Sequence, residues 1–600
     1  MGEFIYNPTL STLTSILLII GCYELGGLLI NKLSLKKIIE PVSIVEFQYI
    51  AFGLIFLLII LFPLVAFTNS AKIILQFFSI ILILLSVRFF FRIKPLLKKL
   101  KIFKTKDVFF YIFLIFLLLY FLLGLSPLTS ADVLDYHVGA ALNILRFDKY
   151  ILFSEWFTSL QSGGGEVLIA LGLSVGSEQF GSLVQFSSLL TISGVILKFS
   201  ENQNVFSSKY FLILIILSCP ILIFLLSGNK PQIFYSSLVL LALSLNFTKK
   251  KNEKDIIISY LIINILICCA VIGKFSFNLT GFLIWSYSTI NFINKKNYIK
   301  ILSIPLIVFI LIYFPFIFWK FENLGGNILS YMISPFPLHL PGYESFLNHN
   351  KGSQEIPFPY FFFYTTPSRA TEFLALNTLF FFILLFFFKQ NKKIRIILVL
   401  SILYLVIANS YASPSARYYL DIILWLSLGI STLKAFKNKR FFQYIYYPQI
   451  LGVLVILIYS IWIFLPGAFS KENYLKIKRN HAFMYSGMEW LNNNIPDNSS
   501  VIIINRPISQ YKNFAISGNF NYFTDEKSSI YYKNKIKKYK PNYLVYLGND
   551  NRTMNLKGCI TGIYKKKDNV GFHATRNPFN KGSYYSAYIF NFDYSKLPNC

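Results

Sequence analysis

Charged residues, and acidic ones above all, are scarce in this chain. Of 600 residues, 27 are Asp or Glu, 57 are Lys or Arg, and only 14% are charged. A soluble globular domain is nearer a quarter charged, so the composition excludes an ordinary soluble protein. Cysteine and histidine are also few, at 6 and 5 residues, and no C-x-x-C or Cys/His metal spacing occurs. We therefore expect no metal centre and no cofactor, although Asp132 and Asp135 form a pair that a divalent cation can bind.

Apolar residues take the place of charge. They make up 55% of the chain, and the mean hydropathy is +0.55. The amino terminus lacks the basic segment, short apolar core and small-residue cleavage site of a secretory signal. The net charge of +30 is expected where Lys and Arg gather in cytoplasmic loops, so we expect a bilayer and no nucleic acid as partner. The sequence predicts an α-helical polytopic membrane protein whose first apolar segment is an uncleaved anchor.

Hydropathy over a 19-residue window predicts about 14 transmembrane helices. They cover 10–30, 44–67, 72–91, 107–125, 178–198, 209–227, 231–247, 255–273, 276–293, 299–319, 371–388, 394–411, 418–433 and 444–466. Alternate connections carry basic clusters, and the intervening ones are poor in Lys and Arg. The positive-inside rule then places both termini outside the cytoplasm, as for a multi-pass protein of a bacterial inner membrane.

The spans divide the chain into three parts. Residues 1–106 form N-terminal transmembrane helices, and residues 107–466 form a second transmembrane module with extracytoplasmic loops at 126–165 and 321–370. Residues 467–600 form a soluble extracytoplasmic tail in which helical and strand-like runs alternate, which predicts a small α/β domain. Its two cysteines, Cys559 and Cys600, can pair in an oxidising compartment.

The first outer loop, residues 126–165, is called the acidic loop below. It contains "SPLTSADVLDYHVGAALNILRFDKY", in which Pro127 ends the preceding helix and a new helix begins near Thr129. Helical spacing places Asp132 and Asp135 on one face, and a carboxylate at a partly dehydrated boundary suits a general base. Asp132 also fits the spacing of a helix-capping residue. In a regular helix His137 points away from Asp135. We expect it to contact a phosphate or another loop, or to have a structural role.

The remainder of this region combines acidic and glycine residues. Glu155 lies near the end of the acidic loop, and Gly163-Gly164-Gly165 precede an apolar segment too short to span a bilayer. We expect a re-entrant or interfacial piece there, with its backbone buried in protein or facing water. Glu166 and Glu178 are predicted to stabilise helix starts.

Three basic residues lie at predicted outer connections. Arg417 opens a late span within "ANSYASPSARYYLDIILW". There it can bind a phosphate through two hydrogen bonds, or extend its charge to the membrane–water interface. Asp421, four residues on, is its expected partner. Lys230 and Lys274 are isolated cations that can meet a phosphate or lipid headgroups.

This layout resembles the GT-C class of membrane glycosyltransferases, which includes protein O-mannosyltransferases and lipid A aminoarabinose transferases. The resemblance is carried by an outer loop with an Asp just after a span, by the "D-Y-H" run, and by the Arg417-Tyr418 pair. It covers residues 107–466 and the tail. The late span lacks the proline common in the class, and four spans precede the loop where the class usually has one.

The resemblance implies an inverting transferase that takes sugar from a polyprenyl-linked donor on the outer face. Its acceptor is a glycan, a lipid or a protein. Asp132 is then the leading acceptor-activating base and Asp135 the alternative. The implied substrate-binding residues are His137, Arg417, Tyr418, Lys230, Lys274 and Glu155.

Two other functions stay open on the sequence. A polysaccharide polymerase or ligase joins larger lipid-linked glycans and has less need for paired aspartates. A transporter or flippase predicts charges in mid-span and internal pseudo-symmetry, neither of which is clear here.

Overall fold

Long apolar helices dominate the structure. The computed structural model describes residues 5–99, 106–201, 208–250, 252–293, 297–334, 337–352, 373–375, 385, 391–411, 415–433, 439–504, 508–517, 526–548, 554–572, 584–597 and 600. Within these residues, eight helices are long and apolar enough to cross a membrane. They are Pro8–Lys32, Val45–Phe67, Ala71–Phe91, Phe180–Ser200, Glu253–Gly273, Tyr298–Leu324, Lys392–Ser410 and Gln443–Ala468. Each coincides with a predicted span, which confirms the polytopic class.

One predicted span is broken. The segment 209–227 consists of two helices, Lys209–Leu217 and Pro220–Ser227, that meet at 59°. Pro220 opens the second helix, and a proline has no amide hydrogen with which to continue the hydrogen-bond ladder of the first. The predicted span at 371–388 and residues 353–370 of the second outer loop lie almost wholly outside the described residues.

Four other predicted spans are short helices. They are Val108–Gly124, Ile233–Leu245, Asn278–Phe292 and Leu420–Ile430. At a rise of 1.5 Å per residue, an 11-residue helix such as the last covers only about 17 Å of a hydrocarbon layer of about 30 Å. The prediction of about 14 continuous spans is therefore not confirmed. Backbone that is not α-helical precedes two of the short helices, and these segments carry Lys230 and Arg417.

The acidic loop and the segment that follows it fold into short helices. A π-helical turn over Val133–His137 runs into the α-helix Val138–Phe147. A 3-10 helix, Phe157–Gln161, then leads to Gly164–Leu173, all of whose ten residues are buried. The apolar segment after the three glycines is thus a short helix enclosed by protein, which satisfies its backbone without crossing a bilayer.

The tail is a small α/β domain, as predicted. Its helices are Lys471–His481, Tyr485–Asn494 and Glu526–Lys537. Its strands are β1 (Val501–Ile503), β2 (Ala515–Ser517), β3 (Tyr543–Leu547), β4 (Ile560–Phe572) and β5 (Tyr584–Phe592). They form one sheet in the order β2-β1-β3-β5-β4. β1 is parallel to β2 and β3, whereas β5 is antiparallel to β3 and β4.

A disulfide closes the tail. Cys559 and Cys600 are bonded, with Cα atoms 5.4 Å apart, so Cys600 is tied to the residue that precedes β4. We expect Cys559→Ser to lower the free energy of unfolding of the tail by about 2–4 kcal/mol, since the crosslink restricts the unfolded chain. Denaturant titration of the full-length protein measures this loss. Reductant should cause the same loss in the wild type and none in the variant; equal stability of the two proteins under oxidising conditions would contradict the prediction.

Candidate active site

Three charged side chains from distant parts of the sequence meet at the start of the acidic-loop helix. Asp132 lies just before the π-helical turn, Lys230 lies between two short helices, and Arg417 lies in a 3-10 turn. The ammonium of Lys230 donates a hydrogen bond to Asp132 Oδ2. Arg417 Nη1 lies 3.5 Å from the same oxygen. The Lys230 side chain is 1% exposed and that of Arg417 20%, so the site is enclosed with access on the arginine side.

A third cation is connected to this group through Gln232. Lys274 Nζ donates to Gln232 Oε1 at 2.6 Å, and Gln232 Nε2 donates to the carbonyl of Arg417 at 3.4 Å. Burial, and next the charge of Arg417, lower the pKa of Lys274 to about 7, while Glu166 and Asp132 act in the opposite direction. We call Lys230, Lys274 and Arg417 the cation cluster. With one carboxylate inside it, the cluster favours an anion such as a phosphate.

Tyr418 supports the arginine. The guanidinium of Arg417 lies over the Tyr418 ring, 5.1 Å from its centroid, and Nη2 is 3.5 Å from the hydroxyl. The expected partner of Arg417, Asp421, instead accepts a hydrogen bond from Thr280 at 2.9 Å. That expectation was wrong because the α-helix begins only at Leu420, so Arg417 and Asp421 are not one turn apart on a single α-helix.

The second aspartate has different partners. Asp135 Oδ1 accepts from Trp156 Nε1 at 3.0 Å, and Oδ2 accepts from Thr158 at 3.1 Å. The π-helical turn replaces the expected α-helical spacing, so Asp132 and Asp135 contact different groups. Asp135 thereby ties the π-helical turn to the second half of the acidic loop.

His137 pairs with a glutamate that the sequence had assigned only to a helix start. His137 Nδ1 and Glu166 Oε1 are 2.6 Å apart, and Glu166 Oε2 accepts from the amide of Gly163 at 2.7 Å. A Cβ on Gly163 would lie 2.4 Å from the carbonyl oxygen of Ile272. Glycine at this position therefore lets the start of the buried helix approach the end of the neighbouring span and brings Glu166 to His137.

Glu155 faces the tail. It is buried and accepts a hydrogen bond from Ser154 at 3.3 Å. Burial, and then the charge of Glu155, raise the pKa of Tyr539 in the tail. Of the predicted site residues, Asp132, Lys230, Lys274, Arg417 and Tyr418 come together, whereas Asp135 and Glu155 contact other groups.

The tail also holds the segment that leads to Asp132. Lys478 Nζ donates to Glu178 Oε1 at 2.6 Å and to the carbonyl of Leu128 at 2.7 Å. Glu178 Oε1 accepts from the amide of Leu128 at 3.1 Å, and Glu178 Oε2 from Tyr474 at 2.7 Å. This network fixes Leu128, four residues before Asp132.

Sequence reasoning missed several of these contributors. Gln232 was visible only as a polar interruption of an apolar stretch, and no local pattern joins His137 to Glu166 or Lys478 to Glu178. Within the part of the chain that the structure describes, no group of three or more His, Cys, Asp or Glu side chains is arranged to hold a metal ion.

The fold is that of a known class of membrane enzymes. The structure is similar to that of ArnT from Cupriavidus metallidurans bound to undecaprenyl phosphate, with a TM-score of 0.50, 10% identity, and coverage of 80% of this chain and 97% of that chain. An oligosaccharyltransferase from Archaeoglobus fulgidus aligns with a TM-score of 0.43 and 12% identity, over 80% of this chain and 76% of that one. The likeness to ArnT shows that the chain has the GT-C fold, as the sequence predicted.

The sequence itself identifies the family. Residues 85–478 match the DUF1420 N-terminal domain, and residues 479–600 match the DUF1420 C-terminal domain. The protein belongs to the DUF1420 family. No curated protein matches its sequence.

Proposed function

We propose that this protein is a membrane glycosyltransferase that moves a sugar from a polyprenyl-linked donor to an acceptor on the extracytoplasmic face. The observation that carries the proposal is the cation cluster around Asp132, in a GT-C fold. The solved structure of ArnT, which shares this fold, contains undecaprenyl phosphate. The proposed compartment is a bacterial inner membrane, with both termini outside the cytoplasm.

The cation cluster binds the phosphate of the donor in this proposal. Arg417 supplies a planar fork that matches two phosphate oxygens, and Tyr418 holds the guanidinium in position. Lys230 adds a point charge from the buried side, and the half-buried Lys274 adds a second one. As the bond from the sugar to the phosphate breaks, charge collects on the phosphate, and fixed cations in an enclosed site stabilise that charge.

The transfer is a single displacement. The acceptor oxygen bonds to the anomeric carbon, the bond from that carbon to the phosphate oxygen breaks, and the electron pair leaves with the polyprenyl phosphate. One displacement inverts the configuration at the anomeric carbon. Asp132 Oδ2 already contacts two cations, which favours a positioning role for Asp132 over the predicted role as acceptor-activating base.

Binding of a lipid phosphate tests the proposal directly. Purified full-length protein in detergent is titrated with undecaprenyl phosphate, and the dissociation constant is measured. We expect Arg417→Ala to raise this constant by about 10-fold or more, because a bidentate charge-assisted contact is lost, and we expect Arg417→Lys to recover only part of the affinity.

The matched control is Lys149→Met, which removes an outer-loop cation that lies 4.0 Å from Glu322 and outside the cluster. It should bind the lipid as the wild type does. Equal affinity of Arg417→Ala and wild type would contradict the role of the cluster. Failure of the wild type to bind any polyprenyl phosphate, or to transfer sugar from such a donor, would contradict the proposed function.

A further inference from the structure

A carboxylate–imidazole pair lies beside the cation cluster and is not used by the phosphate site. His137 Nδ1 lies 2.6 Å from Glu166 Oε1, and the Gly163 amide donates a hydrogen bond to Glu166 Oε2. Both side chains are nearly inaccessible, at 3% and 2% exposed. A carboxylate fixed on Nδ1 sets the tautomer in which Nδ1 carries the proton and Nε2 is the basic atom.

The second nitrogen of this histidine has no partner among the described residues. His137 Nε2 is buried and makes no hydrogen bond within the part of the chain that the structure describes. A buried polar atom without a partner costs free energy, and a catalytic role is one of the reasons for which such an atom is retained. The charges of Lys274 and Lys230 lower the pKa of His137, so the imidazole lies within electrostatic range of the cation cluster.

We propose that His137 takes the proton from the acceptor hydroxyl, with Glu166 positioning its imidazole. This inference rests on the proposed function. As the acceptor oxygen bonds to the anomeric carbon, its hydrogen moves to His137 Nε2 and the polyprenyl phosphate leaves with the electron pair of the broken bond. The products are the glycosylated acceptor, the lipid phosphate and a protonated His137, which later returns its proton to water.

The surroundings of His137 keep it neutral, as a base must be before the reaction. Burial is the largest effect and lowers the pKa of His137 below 6.5; Glu166 opposes this, and Lys274 and Lys230 reinforce it. The Tyr136 ring packs against the imidazole, with centroids 4.2 Å apart. Protonation at low pH removes the base, so kcat/KM should fall as the pH drops through the pKa of His137. Loss of the proton of Lys274, whose pKa is about 7, acts on the alkaline side instead.

The test is the pH dependence of sugar transfer by His137→Asn. Asparagine keeps a donor at the position of Nδ1, and with it the bond to Glu166, but it cannot accept the proton. We expect a loss in kcat on the order of 10²–10⁴-fold, disappearance of the acidic limb of the pH profile, and unchanged binding of undecaprenyl phosphate. The matched control is His481→Asn, because burial lowers the pKa of His481 as well; its rate and acidic limb should be those of the wild type.

A second variant covers the case in which His137→Asn does not fold. Glu166→Gln removes the charge that raises the pKa of His137, so the acidic limb should move to lower pH and the rate should fall. Wild-type rate and an unchanged limb in His137→Asn, or an unmoved limb in Glu166→Gln, would overturn the assignment. If the wild type transfers no sugar although it binds lipid phosphate, the proposed function fails before the role of His137 is reached.

Discussion

Replacing Asp132 by asparagine is expected to abolish sugar transfer while the protein still folds and binds undecaprenyl phosphate. The Asp132 carboxylate contacts Lys230 and Arg417 through one oxygen, and it fixes both cations relative to the acidic loop. Asparagine is nearly the same size and can still accept a hydrogen bond, but it lacks the charge. We expect the rate to fall by at least about 10²-fold, the scale of losing one preorganised electrostatic group.

Lipid binding separates this effect from a general loss of the site. Without the carboxylate the cation cluster carries more net positive charge, so Asp132→Asn should bind undecaprenyl phosphate at least as tightly as the wild type. The matched control is Asp148→Asn in the same loop. Asp148 accepts from the amide of Lys72 at 2.6 Å, away from the cluster, and its replacement should leave the rate unchanged. Full transfer activity in Asp132→Asn would remove Asp132 from the mechanism.

Replacing Lys478 by methionine is expected to give the largest loss of stability. The Lys478–Glu178 pair is fully enclosed, with side chains 1% and 0% exposed. Removing one partner of such a pair leaves a buried charge, which costs about 3–5 kcal/mol. Denaturant titration of the full-length protein in detergent measures this loss in the free energy of unfolding.

The neighbouring ion pair supplies the control. Arg479 binds Glu489 through two hydrogen bonds of 2.9 and 2.8 Å, but its side chain is 50% exposed. Arg479→Met should therefore change stability little, because exposed pairs contribute little net free energy. The double variant Lys478→Met/Glu178→Leu should recover much of the stability by removing the unpaired charge. Equal, small effects of Lys478→Met and Arg479→Met would contradict the argument.

The sequence predicted the features that follow from composition, such as the long membrane helices. It predicted poorly which distant residues contact each other. Apolar length located the eight long helices, and the charge at span boundaries indicated Asp132 and Arg417. Hydropathy does not register a break such as the one before Pro220, because the residues on both sides are apolar. It gives no distance either, so the contact between Asp132 and Lys230, 98 residues apart, followed only from the fold.

The same limit applies to the histidine. His137 and Glu166 are 29 residues apart, and each has an ordinary local explanation as a loop residue and a helix-start residue. Their contact depends on the close approach that Gly163 allows between two backbones. The sequence showed the three glycines and the polar residues around His137. It did not show that Gly163 lets Glu166 reach His137.

The contacts between the tail and the acidic loop set an order of events in the synthesis and folding of the protein. Phe483 donates its amide to the carbonyl of Thr129 at 3.1 Å, Ser509 donates to the carbonyl of Leu134, and Arg146 donates to the carbonyl of Tyr511 at 2.9 Å. The residues on either side of Asp132 are thus held by a domain that follows, in the sequence, the eight long membrane helices described above. A nascent chain with these eight helices in place still lacks these supports, so the acidic loop reaches its final conformation only after residues 479–600 have folded upon it.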